Sequence, residues 1–119
     1  MQNKTSQIAV REEDKQPIFF NDVPDSMEAE RLAGELGVQS AGTFDSRTGR
    51  PVWKEEGLKG RRWYVKTMKD QALPPTAQEG LIKDTGVEWQ VMELDSGHCP
   101  FATRPVELAD LLAGIAGRV

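Results

Sequence analysis

His98 is the only histidine of this chain and Cys99 the only cysteine, and they stand together in the stretch LDSGHCPF, Leu94 to Phe101. Imidazole is the side chain best suited to moving protons near neutral pH, provided a partner fixes which ring nitrogen carries the hydrogen. Asp70 is the carboxylate that chain order offers for that task. An aspartate bonded to one ring nitrogen sets the tautomer and frees the other nitrogen for proton transfer. Three residues compete for a nucleophile's role. Cys99 is adjacent to His98 on a loop, where neighbouring side chains point apart, and a free cysteine is more often a small buried hydrophobe. Ser96 lies too close to His98 on a tight loop to present its hydroxyl. Ser40, in GVQSAG, has flanking glycines at the wrong offsets for a G-x-S-x-G elbow and follows a helical pattern rather than a strand. The candidate site is therefore His98 with Asp70. No cofactor is expected, and a single cysteine excludes an intramolecular disulfide and a Cys-cluster metal site.

Two strand patterns must position this pair. RRWYVKTM (Arg61 to Met68) is dense in aromatic and β-branched residues, and KDQALPP breaks it. TAQEGLIKDTG reads as a helix with a capping box, Thr76 and Glu79, and a stop at Gly86. VEWQVMEL (Val87 to Leu94) is a second strand, ended by DSGHCPFATRP. PVELADLLAGIAGRV closes as a helix with Pro105 in its first turn and an apolar stripe of Leu108, Leu111, Leu112 and Ile115. The order β-loop-α-β-loop-α is that of a parallel α/β sheet. In such a sheet both strand-to-helix loops emerge at the carboxyl edge, where α/β folds place their chemistry. Neighbouring strands lie about 4.8 Å apart, so Asp70 and His98 are expected to meet. Trp63, Trp89 and the leucine stripe read as core, and Trp53 and Phe44 as either packing or pocket lining.

Before Arg61 the pattern is less regular. Residues 1–17 are polar and aperiodic and are expected to form a disordered leader. DSMEAERLAGELG predicts a helix capped by Asp25, with Glu28 in a capping box and Gly37 closing it. The stretch from Val38 to Gly60 reads as packed loops.

RRWYVKTMKDQALPPTAQEGLI followed by VEWQVMELDSGHCPFATRPVELADLL resembles the C-terminal part of an α/β-hydrolase, in the esterase-like branch of methylesterases, hydroxynitrile lyases and related microbial hydrolases. The resemblance runs from about Ile18 to Val119. It implies a partial α/β-hydrolase fold: a cap remnant over residues 18–60, in which FFNDVP and LGVQSAGTF resemble cap pieces, then the last β-α-β-α units over residues 61–119. It also implies that Asp70 is the acid of the triad and His98 its catalytic histidine. The departure is equally plain: the family's early strands, oxyanion-hole loop and nucleophile elbow have no counterpart in this sequence.

A net charge of −4 with no Lys/Arg patch argues against nucleic acid as a partner, and no apolar run approaches a membrane span. The N-terminus lacks a signal-peptide core, and a cytoplasmic protein is expected. Two parallel strands make a poor sheet alone, so the chain is expected to form a homo-oligomer or to dock onto a complementary hydrolase chain. The expected substrate is a small carbonyl or ester compound. Three readings stay open: an enzyme of hydrolase descent doing hydrolase, lyase, isomerase or cyclase chemistry with His98 and Asp70; half of a split hydrolase whose partner brings the serine; or a non-catalytic binding module.

Overall fold

Five residues rich in β-branched and aromatic side chains, Trp63–Thr67, form strand β3, and Gln90–Leu94 form β4. They pair parallel, Trp63 opposite Gln90 and Thr67 opposite Leu94. The ladder outlasts the strands, because Met68 N–H donates to the Leu94 carbonyl and Lys69 N–H to that of Ser96. Helix α4, Pro75–Asp84, connects the two. The computed structural model describes residues 6–118. Its other elements are β1 (Gln7–Ile8), α1 (Glu12–Phe19), α2 (Ser26–Gly34), β2 (Gln39–Ser40), α3 (Gly42–Asp45), 3₁₀ turns at Val52–Lys54 and Glu56–Leu58, α5 (Pro100–Thr103) and α6 (Pro105–Ala116). The α/β reading holds, with a two-stranded parallel sheet and a second, antiparallel pair, β1 with β2.

Several local expectations need correction. The leader expected over residues 1–17 is structured where it is described. Residues 1–5 lie outside the described residues, but β1 and most of α1 fall within it. Glu12, Glu13 and Asp14 fill the first turn of α1, where carboxylates favour the positive end of a helix. Lys15 buries its stem while its ammonium pairs with Glu12, so this helix packs through a lysine as well as through Phe19 at its end and carries no apolar period to read.

Asp25 caps α2 as expected, accepting from Met27 and Glu28 N–H at 2.9 and 3.4 Å. Glu28 binds Arg31 instead of closing a box, and the helix ends at Gly34, before Gly37. The box expected of Thr76 and Glu79 does not form either. Pro74 is the cap residue and Pro75 opens α4 with no N–H to satisfy, while Glu79 pairs with Lys66 at 2.8 Å.

The hydrophobic core sits beside the sheet rather than on it. Phe20, Ala29, Ala33 and Cys99 are buried together, with Phe19, Val23, Leu32 and Leu36 packed around them. This joins α1 and α2 to the loop after β4. Trp63 and Trp89 are only half-buried, and of the α6 stripe Leu112 is exposed.

Gly86 turns the chain out of α4 with φ of +69°, and no heavy atom lies within 4 Å of the position a Cβ would take. Gly80, inside α4, has equally free space but helical geometry. Gly86→Ala should destabilise the fold by about 1–2 kcal/mol through backbone strain alone. Gly80→Ala should stabilise it by about 0.5–1 kcal/mol. Urea unfolding of the two variants, read as opposite shifts of midpoint, checks both.

Candidate active site

Asp70 lies three residues beyond the last residue of β3, in the loop KDQALPP, and its side chain is 4% exposed. Burial of a bare carboxylate is unfavourable unless donors surround it. Here they do. Oδ1 accepts from Ala72 and Leu73 N–H at 2.9 and 2.8 Å, and Oδ2 accepts from Thr67 Oγ1 at 2.9 Å. His98 Nδ1 completes the set, 2.9 Å from Oδ2 and 3.1 Å from Oδ1. Burial pushes the Asp70 carboxyl up, but the Leu73 N–H, His98 and Thr67 together outweigh it and hold the group below the usual carboxylate range.

The loop is fastened from below by Gln78, a residue of α4 only 1% exposed. Its Oε1 accepts from Thr67 N–H at 3.0 Å, and its Nε2 donates to the carbonyls of Thr67 and Leu73 at 2.9 and 2.8 Å. One amide thus closes the turn that begins at the end of β3 and ends at the start of α4. Sequence reasoning missed Gln78 and Thr67. A buried glutamine leaves no periodicity, and the only available signal was Thr67 standing three positions before Asp70.

His98 stands in the matching loop after β4. Its side chain is 38% exposed, its Nδ1 faces Asp70, and among the described residues its Nε2 has no hydrogen-bond partner. The Phe19 ring meets it edge-on, centroids 5.3 Å apart at 76°. Sequence reasoning missed this wall too, because Phe19 belongs to a helix that has no readable stripe.

The rejected nucleophiles are where their chemistry places them. Ser96 is wholly buried and donates its hydroxyl to the Gly97 carbonyl at 3.0 Å. Ser40 lies on β2, its Oγ accepting from Gly42 N–H at 3.3 Å, and no hydrogen bond joins it to His98. Cys99 turns into the core, and burial, with Asp70 and Asp22 nearby, pushes its thiol up and keeps it protonated. Trp53 helps line an apolar hollow of about 190 Å³ with Tyr64, Leu81, Ile82, Thr85 and Trp89, whose lining includes neither His98 nor Asp70; Phe44 is exposed. Among the described residues no cluster of His, Cys, Asp or Glu is placed to hold a metal ion, and no helix is long and apolar enough to cross a membrane.

Because the folded-state pKa of Asp70 is depressed, its stabilising contribution is fully present above the unfolded value of about 3.9 and is lost as pH falls through the folded value. The stability difference between the parent chain and Asp70→Asn should therefore be larger at about pH 5 than in acid and shrink as pH falls below about 4. Urea midpoints of both proteins across that range test it, and a difference that grows toward acid would be the wrong sign.

No family model matches the chain. Among curated proteins it is 43% identical over 58 residues to a putative chloroplastic methylesterase of Arabidopsis thaliana, covering 49% of this chain and 17% of that protein. It is 40% identical over 58 residues to a probable hydrolase of a Phoma species, covering 45% and 24%. The matched stretch is thus less than a quarter of either relative's length. Among solved structures, a pyrethroid hydrolase superposes with a TM-score of 0.68 at 28% identity, over 90% of this chain and 40% of that one. Polyneuridine aldehyde esterase superposes at 0.71 and 20% identity, over 92% and 43%, a likeness of fold alone. With a parallel strand pair that brings Asp70 and His98 to one edge, and with these superpositions, the chain has a partial α/β-hydrolase fold and is similar in sequence to methylesterases and related hydrolases.

Proposed function

We propose that this chain carries the acid–base pair of an esterase-type hydrolase acting on a small ester or related carbonyl compound. The observation that supports the reading most is the His98 Nδ1 contact with the buried, donor-rich Asp70 carboxylate, on a side chain that is 38% exposed and whose Nε2 has no hydrogen-bond partner among the described residues. In this scheme Nε2 takes the proton of an attacking hydroxyl as its oxygen bonds to the ester carbonyl carbon. The same nitrogen returns the proton to the leaving alcohol as the C–O bond breaks. Asp70 stays ionised, holds Nδ1–H and balances the imidazolium that forms. The names of the relatives favour ester hydrolysis over lyase, isomerase or cyclase chemistry.

A second observation bears on where the hydroxyl comes from. Among the described residues β3 and β4 each pair on one side only, and Val91, Phe101, Val106 and Leu112 are exposed. The solved hydrolases extend well past the 40% of their length that this chain matches. These features support a site completed by a complementary hydrolase segment that brings the serine and the oxyanion donors.

Two outcomes are expected. His98→Ala should lower turnover of a small aryl ester by about 10²–10⁴-fold in whatever assembly is active. Asp70→Asn should also lower it, and the double variant should be little worse than His98→Ala alone, since the pair acts as a unit. Steady-state rates on variants whose circular dichroism matches the parent test this, and a folded His98→Ala protein at parental rate overturns it. Separately, a fluorophosphonate probe should leave Ser40 and Ser96 of the chain alone unlabelled, as read by intact mass.

A further inference from the structure

The last residues of α1 and the turn that follows reach both loops of the site. Asn21 Nδ2 donates to the carbonyl of Lys69 at 2.8 Å, and Asp22 Oδ2 accepts from the N–H of Gly97 at 2.8 Å. Lys69 immediately precedes Asp70, and Gly97 immediately precedes His98. Two consecutive side chains therefore grip the backbone one residue upstream of each member of the pair. The partners are 48 and 75 positions away in sequence, so nothing local to either loop could supply these bonds.

We propose that the Asn21–Asp22 turn is a positioning clamp that sets the His98 imidazole against Asp70; this rests on the acid–base reading of that pair given above. Three further features carry it. A Cβ on Gly97 would lie 2.4 Å from Asn21 Oδ1 and 2.4 Å from Asp22 Oδ1, closer than any side chain tolerates. Gly97 does not adopt positive φ. A side chain there would displace the Asn21 and Asp22 side chains from their present places, whereas the backbone angle itself does not require glycine.

Next, Asp22 Oδ1 is buried and has no hydrogen-bond partner among the described residues. An orphaned carboxylate oxygen is unfavourable, and it stands where the other oxygen of the same group holds the His98 loop. Finally, the turn is anchored on its own helix. Phe20 is buried with Cys99 in the core, Phe19 lies edge-on to the imidazole, and Val23 N–H returns to the Phe20 carbonyl. The residues on both sides of His98, Gly97 and Cys99, are thus fixed by α1 and its turn. Only the imidazole between them projects outward.

Neither Asn21 nor Asp22 touches a reacting atom, so both are positioning residues. Loss of Asp22 should let the Gly97–His98 segment move and should weaken the Nδ1 contact without unfolding β3 and β4.

His98 is the only histidine, so every imidazole signal of the ¹⁵N-labelled 119-residue chain belongs to it. The parent should show a single tautomer with hydrogen on Nδ1 and slow exchange of that proton with water. Asp22→Ala should speed that exchange about tenfold or more, the factor that a hydrogen bond to a charged acceptor controls. Asp22→Asn, which keeps an acceptor oxygen toward Gly97, should retain most of the protection. Asn21→Ala removes one bond from an exposed side chain and should also raise exchange with an unchanged melt, which keeps the test open if Asp22→Ala does not fold. In the active assembly, kcat should fall with KM changed less than about twofold, as for loss of a group that orients rather than binds. If both Asp22→Ala and Asn21→Ala fold and leave the Nδ1 exchange at the parental rate, the clamp is wrong. That result is independent of turnover. An Nδ1 proton that responds as described, in a protein whose His98→Ala variant keeps full activity, would instead support the clamp and overturn the esterase reading.

Discussion

Two strands that run parallel and in register deliver whatever follows them to the same edge, and here β3 is followed by Asp70 and β4 by His98. The pairing persists beyond the strands through Met68 to Leu94 and Lys69 to Ser96, so the loops remain laddered until one residue short of Asp70. A register slip of one residue would displace one loop by about 3.3 Å along the other. That is more than the tolerance of a hydrogen bond, and the His98 Nδ1 contact of 2.9 Å would be lost. Everything else in the site is an elaboration of that ladder.

The ladder is fastened by polar groups at both ends. At the start of β3 the buried guanidinium of Arg62 donates to the carbonyls of Trp53 and Glu55. At its end Gln78, Thr67 and Asp70 form one connected network. Between them Lys66 pairs with Glu79 of α4 and with Glu93, its register partner on β4. A pair of strands with little apolar cover would otherwise have few reasons to hold one arrangement. Buried polar groups whose partners are satisfied only in one register supply that reason. Thr67 belongs to both sets: its N–H and carbonyl are held by Gln78 and its hydroxyl donates to Asp70, so folding and the site share that residue.

Much of this was legible beforehand, and the reason differs from residue to residue. Trp63–Thr67 announced itself by composition, and the strand-loop-helix alternation sufficed to bring Asp70 toward His98. Ser40, Ser96 and Cys99 could be set aside because elbow geometry and adjacency are local properties. Gln78, Phe19, Asn21 and Asp22 could not be found, because each acts across long sequence separations on a backbone group or a ring. The leader was misread for a related reason: α1 is stabilised by carboxylates in its first turn and by a buried lysine stem, neither of which produces a hydrophobic period. The Thr76–Glu79 capping box failed because Pro74 and Pro75 open the helix earlier, which puts Thr76 inside the first turn instead of at the cap.

Where the core lies has a consequence for the proposed complementation. Phe20, Ala29 and Ala33 pack against Cys99 and so brace the histidine loop from α1 and α2, while among the described residues the outer edges of the β3–β4 pair stay unpaired. The bonds that hold His98 against Asp70 all originate within this chain, from Thr67, Leu73, Gln78 and the Asn21–Asp22 turn. A sequence without an elbow serine can therefore still hold His98 and Asp70 in the arrangement that the proposed acid–base role needs. An esterase needs two things more: a strained turn that lifts a hydroxyl toward Nε2, and N–H donors aimed at the developing oxyanion. Both depend on their own strand and loop, not on the pair. Division of a hydrolase between the strand that presents the hydroxyl and the strands that present the pair leaves each part's local geometry intact. In the proposed complementation the parts meet at sheet edges, where backbone hydrogen bonds can join them in a defined register.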